Sequence, residues 1–453
     1  MKLKAAAAAL LGAVLLSATG GCSITDLSKD DMLRPPKTMG DEAEIEKLIS
    51  KTAKGPYTLK YPKSGSYRSA IVMHDLDGDN VNEAIAFFRE KDGAAGVHML
   101  VMYENDGSWT ISDDFVNETT DVDSIDFADI GRGKEQEILV GYATYTTGVN
   151  YLTAYTYENG STESIETGQN CSAFYCGNLD NSGKSKVIAL SLFSPENKAK
   201  ATLLEFDDES KMMFPKASAP MDPNIVSYKN AVFSDLGDGV KGLVVDGGTS
   251  NGELNTQVIY FSKQRNALRN PLYKERAANP TQRTSAVYSA DTDNDMKIKI
   301  PTVSTLPYNK DSGAFTAAEQ VLWNNFSIEK EALLPAQRTA ANYNYNYTIK
   351  IPETWTAGAF SALLNKSGDV MSVCEWNSNT AGAKLFDIKV FKVADWDKGE
   401  GVDGYVLIYK DNRYAYTFRN YSAQSELALS DNEIKTAFSL LNNTASAAIN
   451  KPS

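Results

Sequence analysis

Short apolar runs alternate with acidic, glycine-containing loops along most of the chain. The clearest copy joins the apolar runs 70–74 and 84–88 through the loop Asp75–Glu83, which reads DLDGDNVNE. Apolar runs of this length bounded by turn residues predict strands. Four degraded copies follow, and the first loop residues stand 49 to 57 positions apart. These first residues are Asp75, Asp129, Asn178, Asp235 and Asp291. A period near 50 built of short strands is typical of β-propeller blades.

Each copy continues with further strands. Apolar alternation predicts third strands at 97–103, 151–157 and 256–261. The repeated strand, DxDGDxxxE loop and strand resemble the FG-GAP/VCBS repeats of bacterial surface proteins and integrin-type propellers. The resemblance covers residues 55–335 and implies a β-propeller with its Asp loops on one rim. Five loops predict about five four-stranded blades, or up to seven where copies are eroded. We expect the short strand 57–61 to complete the last blade and close the ring.

The pattern changes after Pro335. Strong alternation predicts a strand at 343–351, and several apolar strands follow it. Ser430 and Glu433 have the spacing of a capping box, which predicts one long C-terminal helix. We therefore expect a mainly β chain, with a small α+β domain at 336–453 after the propeller. A further blade or two with a helical tail is the alternative.

The first residues have the pattern of a targeting segment. Lys2 and Lys4 precede the apolar run 5–16, which is too short to span a membrane. The next residues, Thr19-Gly-Gly-Cys22, resemble the lipobox of bacterial lipoproteins, with Thr19 where an aliphatic residue is usual. An ordinary cleaved secretory signal is the alternative.

The lipobox resemblance implies a lipoprotein signal peptide at 1–21 and a lipid on Cys22. Residues 22–54 are then a tether followed by a short helix that Asp41 can cap. We expect an exported protein that is anchored to the bacterial cell membrane and envelope through the lipidated Cys22.

The charge of the chain restricts its partners. Removal of residues 1–21 deletes Lys2 and Lys4, so the formal net charge of −13 becomes −15. An acidic surface repels phosphate groups, so we expect no nucleic-acid partner. Membrane attachment would therefore depend on the lipid and not on charge.

Cysteines and histidines offer little chemistry. The sequence has no CxxC pair and no Cys/His cluster, which argues against zinc and thioredoxin-like sites. Cys171 and Cys176 are expected on one strand, where their odd spacing points them to opposite faces. We predict that both, with Cys374, are buried thiols. The only histidines, His74 and His98, are expected to pack and not to catalyse.

Two Asp loops are candidate calcium sites. Calcium takes six to eight oxygen ligands, and alternate carboxylates in a tight loop can converge on one ion. The alternative is that the Asp side chains accept backbone N–H bonds and only shape the turn. Loop 129–137 has gained cations and should not bind. The candidate ligands of a structural Ca²⁺ are Asp75, Asp77, Asp79 and Glu83 in the first loop, and Asp291, Asp293 and Asp295 in the fifth.

These features favour a non-catalytic envelope protein whose propeller binds or scaffolds an extracellular protein or glycan. An extracellular polysaccharide-acting enzyme, with acidic residues in the propeller funnel, is the alternative. With 58 acidic residues in the chain, carboxylate pairs do not distinguish the two. Tyrosines around 142–155 or 343–347 could form a saccharide-stacking surface, but tyrosine is also an ordinary strand residue.

Overall fold

The structure is a computed structural model that describes residues 40–441, except 93–95, 132–135, 180–181, 196, 208 and 310–314. The expected signal peptide, Cys22 and the tether as far as residue 39 lie outside these residues. The chain divides into two compact units after Leu48, within helix α1 (Asp41–Ala53). The sheets described below belong to the unit Ile49–Ser453. Within the described part of the chain, no helix has the length and apolarity needed to span a membrane.

The strands of the described residues form six antiparallel sheets, numbered here in chain order. Sheets 2 to 4 are four-stranded meanders in which each strand pairs with the next one along the chain. Sheet 1 contains β1 (Tyr57–Leu59), β2 (Ile71–His74), β3 (Glu83–Glu90), β4 (Val97–Asn105) and β5 (Ser108–Asn117). Sheet 2 contains β6 (Asp121–Ala128), β7 (Glu137–Ala143), β8 (Asn150–Glu158) and β9 (Ser161–Cys171). Sheet 3 contains β10 (Ala173–Gly177), β11 (Lys186–Ser191), β12 (Lys200–Asp207) and β13 (Met212–Pro220).

Sheet 4 continues the meander pattern, whereas sheets 5 and 6 are less regular. Sheet 4 contains β14 (Ile225–Asp235), β15 (Lys241–Thr249), β16 (Leu254–Ser262) and β17 (Ala267–Arg269). Sheet 5 contains β18 (Ile300–Thr305), β20 (Glu319–Ser327), β21 (Ala332–Asn342), β22 (Tyr347–Ile351) and β28 (Phe438–Leu440). Sheet 6 contains β19 (Phe315–Ala317), β23 (Phe360–Asn365), β24 (Val370–Asn377), β25 (Thr380–Lys392), β26 (Val406–Lys410) and β27 (Tyr414–Asn420). Two short helices, α2 (Val393–Lys398) and α3 (Asp431–Ala437), complete the elements.

Burial explains the apolar runs of the sequence. The strands that follow the first four loops are β3, β7, β11 and β15. Each is buried on both faces along most of its length, so it is a nearly continuous apolar run. Outer strands such as β9 alternate buried and exposed positions because one of their faces meets solvent. The repeated strand patterns of the sequence are therefore a direct record of burial.

Consecutive sheets pack face to face. Sheets 1 and 2 share an apolar cluster that includes Phe87 and Tyr142. Similar clusters join sheets 2 and 3, 3 and 4, 4 and 5, and 5 and 6. A series of four-stranded meanders stacked in this way is the blade arrangement of a β-propeller. The predicted mainly β propeller fold is confirmed, while the number of blades stays a prediction.

Four details of the sequence prediction differ from the structure. Residues 57–61 do not complete the last blade, because Tyr57 and Leu59 of β1 pair with Glu90 and Phe88 of sheet 1. The fifth repeat has no regular first strand at 286–291, where Ala290 forms only an isolated bridge with Lys299.

The other two differences lie near the C-terminus. Residues 343–346 form a turn, so the strand predicted at 343–351 begins only at Tyr347. The capping box of Ser430 and Glu433 is present, but α3 has seven residues and the chain then enters β28. The boundary expected between residues 335 and 336 lies inside β21, and the division into two domains stays a prediction.

Candidate metal loops and the inner cavity

The Asp loops join the first strand of a repeat to its second strand and are tied to the next sheet. A residue just before or at the start of β7, β11, β15 and β18 donates its backbone N–H to the preceding Asp loop or to the strand just before that loop. We call these the inter-sheet bonds. They are Gln136 N–H to Leu76 O (2.8 Å), Ser185 N–H to Asp129 O (2.6 Å), Lys241 N–H to Leu179 O (3.3 Å) and Ile298 N–H to Ser234 Oγ (3.0 Å). The loops therefore lie along one edge shared by sheets 1 to 5.

Loop 1 folds around the carboxylate of Asp75. Its Oδ1 accepts the N–H of Gly78 at 2.7 Å, and its Oδ2 accepts the N–H of Asn80 at 3.0 Å. Gly78 has a φ of 79°, in the left-handed region where glycine carries no steric cost. At the far end, Glu83 Oε2 accepts the N–H of Leu76 at 2.8 Å. These bonds are the turn-shaping contacts that short acidic side chains make in tight loops.

The same loop also brings three of the four predicted ligands together. One oxygen from each of Asp75, Asp77 and Glu83 lies within 4.8 Å of the others. Asp79 does not belong to this group, and its Oδ1 accepts the N–H of Val81 at 2.7 Å. None of the ion pairs formed by the described residues neutralises this loop.

Two carboxyl groups of loop 1, those of Asp77 and Glu83, have raised pKa values. Burial, together with the charges of Asp77 and Asp79, raises the pKa of Glu83 to about 7. Burial and the neighbouring carboxylates of Asp79 and Asp75 also raise the pKa of Asp77. Hard oxygen ligands that repel each other are the donor set that Ca²⁺ takes, so these residues fit a calcium ion.

Loop 5 brings its three predicted ligands together but already contains a cation. Oxygens of Asp291, Asp293 and Asp295 lie within 4.8 Å of one another. The ammonium of Lys299, whose side chain is 1% exposed, lies 2.9 Å from Asp293 Oδ1 and 2.7 Å from Asp295 Oδ1. Hydrogen bonding to Lys299 lowers the pKa of Asp295, and both carboxylates raise the pKa of Lys299 against the opposing effect of burial. A metal ion would have to displace this ammonium.

The position of Lys299 matches that of Glu83, nine residues into the loop. In loop 2 the same position holds Glu137, whose Oε2 accepts the N–H of Ile130 at 3.0 Å. Loops 1 and 2 are thus each closed by the same kind of hydrogen bond, from a backbone N–H to the ninth-position Glu. Loop 5 has an ion pair of Lys299 in its place. The sequence places a lysine at the ninth position, but it does not predict that the ammonium of Lys299 contacts Asp293 and Asp295.

Both histidines stack on phenylalanine rings. His74 lies 3.9 Å from Phe127, measured between ring centroids, and its Nε2 is 2.8 Å from Gln136 Oε1. His98 stacks on Phe88 at 4.4 Å and lies 2.9 Å from an oxygen of Asp114. These contacts are those of packed side chains that join neighbouring elements.

Among the described residues the cysteines are Cys171, Cys176 and Cys374, and all three are free and buried, as predicted. Cys171 and Cys176 do not share a strand, however, because Cys171 ends β9 and Cys176 lies in β10. Burial raises the pKa of Cys171 to about 12 and that of Cys374 to about 11, so neither thiol is activated.

An inner cavity of about 110 Å³ lies where the first strands of sheets 2, 3 and 4 approach one another. Residues 124–126, 174–176 and 231–233 line it, together with Gly65 and Ser66. Asp126 is the single carboxylate among these lining residues, and aromatic and small side chains supply most of the wall. Burial raises its pKa to about 6, against hydrogen bonds from Phe127 N–H and Cys176.

The tyrosines considered for saccharide stacking do not form one surface. Tyr142, Tyr155 and Tyr347 are fully buried, and Tyr142 and Tyr155 share a hydrogen bond of 3.0 Å between their hydroxyl oxygens. Tyr145, by contrast, is 82% exposed. Their sequence spacing gave no sign that the group would be divided between core and solvent.

Comparison with known proteins gives no match to a protein-family model or to a curated protein. Among solved structures, the chain is similar to the WD40 domain of Toxoplasma gondii coronin, with 9% identity, 83% of this chain and 86% of that chain covered, and a TM-score of 0.29. It is similar to the Dos1 propeller, with 11% identity, 81% of each chain covered and a TM-score of 0.28. It is also similar to the exotype rhamnogalacturonan lyase YesX, with 10% identity, coverage of 74% and 79%, and a TM-score of 0.28. At these scores the likenesses carry no argument about function, and the propeller fold rests on the sheets described above.

Proposed function

We propose that this chain is a lipid-anchored envelope protein whose propeller binds an extracellular protein or glycan without catalysing a reaction. The observation that carries the proposal is the lining of the inner cavity, where Asp126 is the single carboxylate. A propeller that presents a rigid surface for binding needs no reactive group in this cavity. The packed sheets and the inter-sheet bonds supply that rigidity.

The competing function, cleavage of an extracellular polysaccharide, would require a pair of carboxyl groups in the cavity. Glycoside hydrolysis generally uses two carboxyl groups separated by about 5–9.5 Å, one as acid and one as base or nucleophile. The cavity lining offers Asp126 and the buried Cys176 instead. Its volume of about 110 Å³ is also below the roughly 300–1,000 Å³ of typical ligand pockets, so this cavity favours neither cleavage nor binding of a glycan.

Calcium has a structural role in this proposal. Asp75, Asp77 and Glu83 would hold Ca²⁺ in loop 1, with Asp79 shaping the turn beside them. The ion would neutralise three mutually repelling carboxylates and stiffen the shared loop edge. In loop 5, Lys299 would perform the same neutralisation without a metal.

The anchor is the lipid on Cys22, with the following tether holding the sheets away from the membrane. The net charge of −13 disfavours nucleic acid as a partner. Metabolic labelling with palmitate tests the anchor: the wild-type chain should take up the label and a Cys22→Ser variant should not. Equal labelling of the two chains would contradict lipidation at this residue.

Binding without catalysis is tested by two measurements on the same preparation. The full chain, solubilised in detergent, is applied to a glycan array and to an envelope-protein extract, and release of sugar reducing ends is measured in parallel. The proposal expects saturable retention of a ligand and no product. Product formation by the wild type that is lost in Asp126→Asn would favour the enzyme instead.

A further inference from the structure

An irregular segment separates sheets 4 and 5. Between Arg269, at the end of β17, and Ile300, at the start of β18, the described chain has only two isolated β-bridges. By contrast, one to four residues separate the last strand of sheets 1, 2 and 3 from the first strand of the next sheet. Long irregular segments inside compact domains are uncommon and usually functional.

A buried ion pair holds this segment in place. Arg283 Nη2 lies 2.9 Å from Asp246 Oδ1, and neither side chain is exposed. The guanidinium also donates to Thr281 O at 2.9 Å and to Val287 O at 2.7 Å. Ser289 N–H donates to the other Asp246 oxygen at 2.7 Å. These bonds fix the stretch 281–289 to sheet 4, and the side-chain amide of Asn279, which donates to Thr256 O at 3.1 Å, extends the attachment towards the start of the segment.

The fixed segment forms one wall of a polar groove of about 580 Å³. Two further cavities, of about 330 and 410 Å³, share Glu253 with this groove. The three together offer room for more than one unit of an extended ligand. Its lining includes Asp222, Asn224, Asn251, Glu253, Tyr273 and Gln282.

The polar groups of the groove are arranged before any ligand arrives. Asp222 Oδ1 accepts the side-chain amide of Asn224 at 2.9 Å. Glu253 Oε2 accepts the side-chain amides of Asn251 at 2.8 Å and Gln282 at 2.5 Å. Each carboxylate retains further acceptor sites, and each amide retains its carbonyl oxygen or a second N–H. Side chains held by one another lose little freedom when they bind a ligand.

We propose that this groove binds a neutral oligosaccharide, an inference that deepens the glycan branch of the proposed function. Carboxylates and amides in one groove match the paired donors and acceptors of sugar hydroxyls. Tyr273, half-buried on the wall, supplies an aromatic face for the C–H groups of a sugar ring. The three acidic and two basic side chains of the lining nearly balance, which disfavours a strongly charged ligand. A peptide would instead seek apolar pockets, and few lining residues are apolar.

The test uses the full chain in detergent and neutral oligosaccharides of glucose, galactose, mannose and N-acetylglucosamine, with polygalacturonate as an anionic comparison. We expect one neutral series to bind with a measurable Kd by titration calorimetry. Tyr273→Ala and Asn224→Ala should each weaken binding at least about tenfold, which corresponds to roughly 1.4 kcal/mol. Tyr145→Ala, an exposed tyrosine outside the groove lining, is the matched control and should bind like the wild type.

Each outcome decides between the site and the broader function. Oligosaccharide binding that survives both groove variants, with melting temperatures unchanged, overturns the groove and leaves the proposed binding function standing. Retention of a protein ligand with no oligosaccharide bound also overturns the groove assignment and leaves the proposed binding function standing. Failure of the chain to retain any glycan or protein overturns both. Preference for polygalacturonate contradicts the assignment of a neutral ligand.

Discussion

The guanidinium of Arg283 and the carboxylate of Asp246 form an ion pair from which solvent is entirely excluded. Thr256 Oγ donates a further bond of 2.6 Å to the same Asp246 oxygen, so the charges are satisfied from several sides. Because buried charges are expensive when unpaired, this pair decides whether the segment 270–299 can stay on sheet 4.

Removing one partner of this pair should therefore be costly. Asp246→Ala leaves the buried Arg283 charge uncompensated, and we expect a loss of about 3–5 kcal/mol in the free energy of unfolding. Chemical denaturation measures it. The exposed pair Lys410–Asp397 provides the comparison, since Lys410→Ala should change stability by less than about 1 kcal/mol. Equal effects of the two substitutions would contradict the importance of the buried pair.

Lys299 should act as the built-in cation of loop 5. Lys299→Met removes the ammonium and leaves Asp293 and Asp295 facing each other, so we expect a loss of about 2 kcal/mol. Ca²⁺ should then raise the melting temperature of this variant more than that of the wild type. The neighbouring exposed lysine gives the control, Lys297→Met. A variant as stable as the wild type, with no added calcium response, would show that the ion pair is unimportant.

Loop 1 should be the calcium-responsive loop. An ion bound only by the folded chain stabilises it by about 2.7 kcal/mol at a concentration one hundred times its Kd. We expect the melting temperature to fall when EGTA is added, and this response to vanish in Asp77→Ala. Glu104→Ala, an exposed acidic residue outside the loop, should keep the response. The calcium assignment fails if wild type and Asp77→Ala melt alike with and without EGTA.

The carboxyl of Asp126 should make stability depend on pH. Its pKa of about 6 exceeds the ordinary value of 3.8, so the folded chain binds this proton more tightly than the unfolded chain. The free energy of unfolding therefore increases as the pH falls from about 6 towards 4. This extra stability is lost as the pH rises through 6. At pH 7 and above, Asp126→Asn should be more stable than the wild type by about 1–2 kcal/mol, after allowance for solvent contact.

The measurement is a series of denaturation curves for both chains between pH 4 and 8. The difference between them should shrink as the pH falls, because the protonated acid and the amide then resemble each other. A difference independent of pH would mean that Asp126 titrates normally. Residual differences at pH 4 would report only the changed contact with Cys176.

The sequence predicted the repeated part of this fold well because burial leaves a periodic record. The runs around Phe87 and Val140 became the doubly buried second strands, and Ser430 and Glu433 formed the expected capping box. Pairing partners were harder to predict. The three residues of β1 do not indicate which sheet they pair with. They pair with β3 of sheet 1 and not with the last blade.

Other features of the structure could not be predicted from local sequence patterns. The Tyr/Asn alternation at 343–346 looked like a strand but is a turn, in which Asn346 has a φ of 51°. The groove beside Tyr273 depends on Arg283 meeting Asp246 across 37 positions, and no local pattern encodes that contact. Asp126 likewise looked like an ordinary polar strand residue until three sheets placed it in a cavity.

The inter-sheet bonds have a consequence for how the chain can fold. Each bond joins an Asp loop, or the strand just before it, to a residue about sixty positions later, as the bond between Leu76 and Gln136 does. Domains form progressively as a chain is synthesised from its N-terminus. A newly made sheet therefore lacks its inter-sheet bond until the next sheet has been synthesised. We expect the sheets to be completed one after another, each one sheet behind the growing end of the chain. A chain halted after sheet 3 would lack the bond from Lys241 N–H to Leu179 O, and we expect such a chain to be more sensitive to proteases near Leu179 than the complete chain.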